Sequence, residues 1–380
     1  MQRLILTVAF VLACAGAGAA GVNEAVLEGS SCPAGGLVDA AFRDGALATL
    51  SRLVVQAPGR TAHGALRAHP TAGHVDAQGR AWHQVSAYQV NLGLIGVLRV
   101  APQLLPLAAD WLRWQARHMA LQGDSRGIVL DHWLRADDLE ESTCPPGMAQ
   151  PLCGHVDAFD STAASMLLMA DAYLRHGGSL SVLREPSMRQ ALEAAATALR
   201  ELASFDGLTF AKPSYRVEYT MDQVEVVAAW RAWARVQRDA YSQPQSGENS
   251  LAAARRGEAA LRERLWDPAA GAWQVSLGAG APQPGRWYPD TVAQAWPLLW
   301  GTEAGAPQRA HDAWRRAIAP WQGPSVHWAL RHVDPDGFWW PAVAVAARCS
   351  GDDAGARLWV ARAPALAQSG GPLPLAISGR

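Results

Sequence analysis

The feature that most constrains this chain is an alternation of two kinds of helical segment. Stretches near 39–55, 104–120, 185–204, 249–266, 305–319 and 352–365 are rich in Ala, Leu and Arg, with their charges on one side, as in "EPSMRQALEAAATALREL". Such segments bury one stripe and wet the other. Between them lie segments with few charges: "SAYQVNLGLIGVLRV" (86–100), "DSTAASMLLMADAYL" (160–174), "TMDQVEVVAAWRAWARV" (220–236), "YPDTVAQAWPLLWG" (288–301) and "GFWWPAVAVAARC" (337–349). Their patterns predict helices buried on nearly every side. Alternating wet and dry helices suit a ring of hairpins, with dry helices inside. The expectation is an all-α fold, an (α/α)5-6 toroid with short strands in its connections, for example at 271–277.

Only 18% of residues are charged and the net charge is −1, which argues against a nucleic-acid partner. Met1-Gln2-Arg3, an apolar run to Ala13 and small residues beyond it read as a signal peptide over 1–20. A second reading is a lipoprotein signal with Cys14 lipidated. Residues 30–367 are expected to form one toroid domain, and 368–380 a flexible tail. Without Cys14, four cysteines remain, and export favours disulfides. Cys144 and Cys153 bracket a Pro/Gly loop, and Cys32 with Cys349 would tie the termini together. Periplasmic or secreted placement follows, with an outer-membrane lipoprotein as the second reading and no membrane span.

The chemistry-bearing candidates cluster at the starts of the dry segments. Asp160 and Asp290 fit helix capping. Thr220 and Gln223 fit a capping box, which makes Asp222 a first-turn residue. Glu225 has no such explanation amid three valines. A structural ion pair with Arg216, Arg231 or Lys212 is the alternative. Asp222 and Glu225 share a helix face. The helix N-terminus would lower Asp222, and apolar surroundings would raise Glu225. Carboxyls of divergent acidity suit glycosidic bond cleavage, with one as proton donor and one as nucleophile or base. Glu225, Asp160 and Asp222 are therefore the catalytic candidates, with Glu225 as proton donor and Asp160 or Asp222 as base or nucleophile.

Lys212 is the sole lysine, beside Pro213 and Tyr215, ahead of the carboxylate helix. It reads either as a survivor of arginine-biased coding or as a compact cation at the rim of a site. Seventeen tryptophans suggest stacking surfaces for sugar rings. Trp287, Trp339 and Trp340 are candidate platforms, with Tyr215, Asp290 and Asp131 as further substrate contacts. Trp230, Trp233 and Trp296 read as ordinary core. His63, His69 and His74 lack metal-ligand spacing, "DPDG" (334–337) reads first as a turn, and neither metal nor cofactor is expected.

The stretches "FDSTAASMLLMADAYL", "AKPSYRVEYTMDQVEVVAAW", "WYPDTVAQAWPLLWG" and "WWPAVAVAA" resemble bacterial proteins of the six-hairpin glycosidase-like superfamily, over roughly residues 80–350. The resemblance implies an (α/α) toroid with a site at the inner-helix starts, at Asp160, Asp222, Glu225 and Asp290, with Lys212 and Tyr215 adjoining. The expected function is an exported glycoside hydrolase acting on a polysaccharide or oligosaccharide. The same toroid also hosts other chemistries. One alternative is a polysaccharide lyase using Tyr215 or Tyr219, with Lys212 or Arg216 neutralising a uronate. Another is a non-catalytic glycan-binding toroid in envelope polysaccharide assembly.

Overall fold

The computed structural model describes residues 37–149, 153–302, 307–331, 333–334 and 339–368. The signal segment, Cys14, Cys32 and most of the 368–380 tail lie outside them. Helices with one wet face are α1 (Ala40–Leu53), α3 (Leu105–His118), α6 (Pro186–Leu202), α8 (Pro244–Ala260), α10 (Pro307–Ile318) and α12 (Asp353–Gln368). The dry helices are α2 (Ala87–Val100), α4 (Phe159–Arg175), α7 (Thr220–Arg235), α9 (Trp296–Trp300) and α11 (Pro341–Cys349), with a short α5 (Leu180–Leu183) between α4 and α6. Prolines in the first turns of α3, α6, α8, α9 and α11 start those helices without losing a hydrogen bond.

Successive dry helices pack against one another: α2 on α4, α4 on α7, α7 on α9 and α9 on α11. The wet-faced helices lie against them, as α6 does on α4, α8 on α7 and α12 on α11. In α6 the buried positions Met188, Ala191, Leu192, Ala195, Leu199 and Leu202 follow the 3–4 spacing of one stripe. The fold is thus largely helical with hairpin-like alternation.

The connections hold more sheet than the sequence indicates. Strands β1 (His74–Val75), β2 (Ala81–Val85), β3 (His132–Arg135) and β4 (Glu141–Ser142) form an antiparallel sheet in that order. A register of Gln84 opposite Trp133 and Val85 opposite His132 holds β2 to β3. Strand β2 runs into α2, so the sheet sits at the start of a dry helix. His74, read as loop, belongs to β1 and reaches the Pro146 carbonyl at 3.0 Å. The expected strand at 271–277 shrinks to β6 (Ala272–Trp273), paired with β5 (Trp266–Asp267).

The predicted capping box on α7 does not form. Tyr219 is the N-cap with no side-chain cap bond, and the Thr220 hydroxyl donates to the Gln274 carbonyl. The helix start is docked on a neighbouring segment, with Thr220 N donating to Val275 O at 2.9 Å. Cys144 and Cys153 are bonded, in keeping with an oxidising compartment. Cys349 is also disulfide-bonded, and Cys32, its expected partner, lies outside the described residues. Among the described residues no helix is long and apolar enough to cross a membrane.

A polar network pins the first hairpin. Asn91 on α2 donates to Gln115 Oε1 at 2.9 Å and to Ser165 Oγ at 3.0 Å. Its own carbonyl accepts from Trp111 Nε1 at 2.8 Å and Gln115 Nε2 at 2.9 Å. All four groups are buried. Asn91→Leu strands the Trp111 and Gln115 donors, each costing about 1–3 kcal/mol. We expect a loss of roughly 3 kcal/mol in urea unfolding, with helical content by circular dichroism retained.

Candidate functional site

The starts of the dry helices bring a group of carboxyls together. Glu225 stands in the second turn of α7 and is 1% exposed. Its Oε1 accepts from the Tyr88 hydroxyl at 2.8 Å and from Trp296 Nε1 at 2.9 Å. Tyr88 lies in the first turn of α2, and Trp296 opens α9. Three separate dry helices therefore meet at one carboxylate oxygen. Arg231 is engaged elsewhere, donating to Glu258 at 2.6 Å, and the Arg216 guanidinium lies 4.4 Å over the Phe210 ring.

Asp160, in the first turn of α4, is fully buried. Its role is not that of an N-cap, since Ala158 holds that position. Asp160 Oδ1 accepts from Ser161 N at 2.8 Å, and Oδ2 from the Thr209 hydroxyl at 2.7 Å. Burial pushes its carboxyl up to about 7, against the pull of these donors, and the charge of Glu225 adds to the rise. The two carboxyls are thus electrostatic neighbours.

An amide clamp sets Thr209. Gln223 Oε1 accepts from Thr209 N at 2.7 Å, and Nε2 donates to Thr209 O at 2.8 Å. Gln294 repeats the device on Trp273, with bonds of 2.8 Å each. The loop after Thr209 then turns tightly through Lys212 and Tyr215, which exchange backbone bonds. Lys212 exerts its charge on Asp131 and on His155. Pro213 and Arg216 line a cavity of about 430 Å³ together with Phe159, Phe210, Arg126 and Glu201, and Glu225 is not in its wall.

Asp222 is buried in the first turn of α7 and acts electrostatically on Tyr219. Burial, then the hydrogen bond shared with Tyr215, raise the Tyr219 phenol, with Asp222 and Tyr288 adding to it. Tyr215 and Tyr219 hydroxyls lie 2.9 Å apart. Tyr288, 36% exposed, stacks on Trp340 with ring centres 4.9 Å apart. Trp340 meets Trp296 edge-on at 6.0 Å, which links the aromatic pair to the Glu225 donor.

Other sequence candidates are held by partners of their own. Trp287 packs among Trp321, Trp328 and Trp359, and Trp339 donates to the Trp359 carbonyl at 2.7 Å, so both rings belong to an indole cluster of the core. Asp290 caps no regular helix. It accepts from Gln283 N at 2.8 Å and pairs with Arg286 at 3.3 Å. Asp131, directly before β3, is 3% exposed and accepts from Gln84 Nε2 at 2.9 Å. Tyr88, Thr209 and the Glu225 contact of Trp296 were not read from the sequence. Trp296 does pack as core, but its N–H has a polar target.

No family model matches the sequence, and no curated protein matches it. Among solved structures, the chain is similar to a rhamnosidase from Klebsiella oxytoca with rhamnose bound, at 17% identity and a TM-score of 0.46. The match covers 75% of this chain and 48% of that one, so this chain spans about half the length of the rhamnosidase.

The raised Asp160 carboxyl has a consequence for stability. The native state holds this proton at pH values where the unfolded chain, with an ordinary carboxyl of 3.8, has lost it. Stability linked to Asp160 is therefore greatest below about pH 4, falls as pH rises towards 7, and levels off above. Asp160→Asn keeps an acceptor for Ser161 and removes the titration. Its melting temperature, compared with wild type at pH 5 and pH 8, should fall less across that interval.

Proposed function

We propose that this chain is an exported glycoside hydrolase acting on a polysaccharide or oligosaccharide, with Glu225 as its central carboxylate. The observation that carries the reading is the meeting of Tyr88 and Trp296 at Glu225, together with two buried carboxyls, Asp160 and Asp131, pushed up to about 7. One acid that keeps a proton near neutrality and one held to receive charge are the two parts glycosidic cleavage requires. Two donors converge on Glu225 Oε1. That arrangement suits the base or nucleophile, and it replaces the sequence-based assignment of Glu225 as proton donor. The second carboxyl comes from Asp160, Asp222 or Asp131. Tyr288 stacked on Trp340 offers an aromatic face of the kind that packs on a pyranose.

The lyase alternative needs a phenolate at Tyr215 or Tyr219. Burial and the hydrogen bond shared with Tyr215 push Tyr219 the wrong way for that task.

A reducing-end screen on purified full chain with plant, bacterial and algal polysaccharides and their oligosaccharides tests the proposal. Glu225→Gln should lower turnover by about 10³-fold, within the range for loss of a positioned acid–base group, with circular dichroism unchanged. Products absorbing in the ultraviolet as unsaturated uronates, or full turnover in E225Q, would overturn it. Lys212→Arg should cost roughly tenfold in kcat/KM if a compact ammonium is needed at the rim.

A further inference from the structure

We propose that Asp131 is the proton-donating carboxyl of the site, working with Glu225. This rests on reading the chain as a glycoside hydrolase. Asp160 is poorly placed for the task, because both its oxygens already accept hydrogen bonds, from Ser161 N and Thr209 Oγ1. Asp222 rises from the same helix face as Glu225, three residues before it, so the two approach from one side.

Asp131 arrives from a different element. It precedes β3, and its backbone N–H donates to the His155 carbonyl at 3.0 Å. Gln84 on β2 donates to Oδ2 at 2.9 Å, while Oδ1 has no hydrogen-bonding partner although the residue is 3% exposed. A buried carboxyl oxygen left unmatched is costly. A protonated Oδ1 directed at an incoming glycosidic oxygen removes that cost. The α2 start ties this carboxyl to Glu225. Ser86, its N-cap, lies beside Asp131 short of a formed hydrogen bond, and Tyr88, two residues on, donates to Glu225. One helix start thus touches both acids. Burial pushes Asp131 up to about 7. The charge of Asp157 adds to the rise, while Gln84, Ser86 and Lys212 oppose it.

In the reaction, the Asp131 proton passes to the glycosidic oxygen as the bond from that oxygen to the anomeric carbon breaks. The bonding pair stays on the oxygen, which leaves as an alcohol. A water oxygen bonds the anomeric carbon and gives its proton to Glu225. Asp131 ends as carboxylate and Glu225 as acid, and exchange of one proton with solvent resets them.

The test uses a glycoside cleaved by the wild type, found by the reducing-end screen, and the 2,4-dinitrophenyl glycoside of the same sugar. Dinitrophenolate leaves without a proton. Asp131→Asn should lose about 10³-fold on the sugar leaving group and stay within about tenfold of wild type on the dinitrophenyl glycoside. The basic limb of its pH profile should vanish. Gln84→Leu removes a donor that holds Asp131 down, so its basic limb should move to higher pH. That variant also serves if Asp131→Asn does not fold. Equal losses on both substrates, an unmoved basic limb in Q84L, or the leaving-group split appearing in Asp160→Asn instead would overturn the assignment. Wild-type cleavage with D131N unimpaired overturns the assignment alone. A wild type that cleaves no glycoside overturns the hydrolase reading and the assignment together.

Discussion

Glu225 lies in a helix that buries nearly every side chain, and a carboxylate there is tolerated only when donors reach it. Tyr88 and Trp296 supply two, and they come from the dry helices α2 and α9. That requirement orders much else. The start of α2 must stand beside the second turn of α7, and α9 must open at the same level. The packing of α2 on α4, α4 on α7 and α7 on α9 meets it. Breaking the arrangement would leave a buried charge uncompensated, which costs several kcal/mol. The site and the fold are therefore not separable.

The other polar residues of the dry helices hold backbone or neighbouring helices in place. Asn91 joins α2 to α3 and α4. Asp171 on α4 receives two bonds from Arg235 on α7, at 2.9 and 2.7 Å. Gln223 and Gln294 clamp both polar groups of Thr209 and Trp273, so each fixes a loop at a helix end. A side-chain amide presents one donor and one acceptor in a plane, which matches a peptide group. These bonds are buried and so worth more than their surface equivalents. They also place Thr209 where its hydroxyl meets Asp160.

The longer helices were legible because burial leaves a periodic trace along them, and the wet face of α6 or α8, 17 residues each, has no other explanation. The four-stranded sheet was not, because two of its strands, His74–Val75 and Glu141–Ser142, span two residues each, too few for any period to show. The capping box failed for a related reason: Thr220 has the right neighbours for a cap, but tertiary docking on Gln274 takes its hydroxyl. At the site, Glu225 was visible as a charge in a run of valines. Its partners were not, since Tyr88 and Trp296 lie 137 and 71 residues away along the chain. Trp287 and Trp340 looked alike in sequence. Only packing separates a ring within an indole cluster from one stacked on an exposed tyrosine.

Two carboxyls raised to about 7, Asp131 and Asp160, give the site an unusual charge balance. Below that pH both are largely neutral. Above it each ionises against a neighbouring carboxylate, Asp160 against Glu225 and Asp131 against Asp157. Lys212 works against this accumulation at Asp131. Its charge stems from a turn that backbone bonds close between Lys212 and Tyr215. For the glycoside hydrolase proposed above, the same balance favours a neutral sugar over an anionic one at alkaline pH, since a uronate would meet an increasingly negative site.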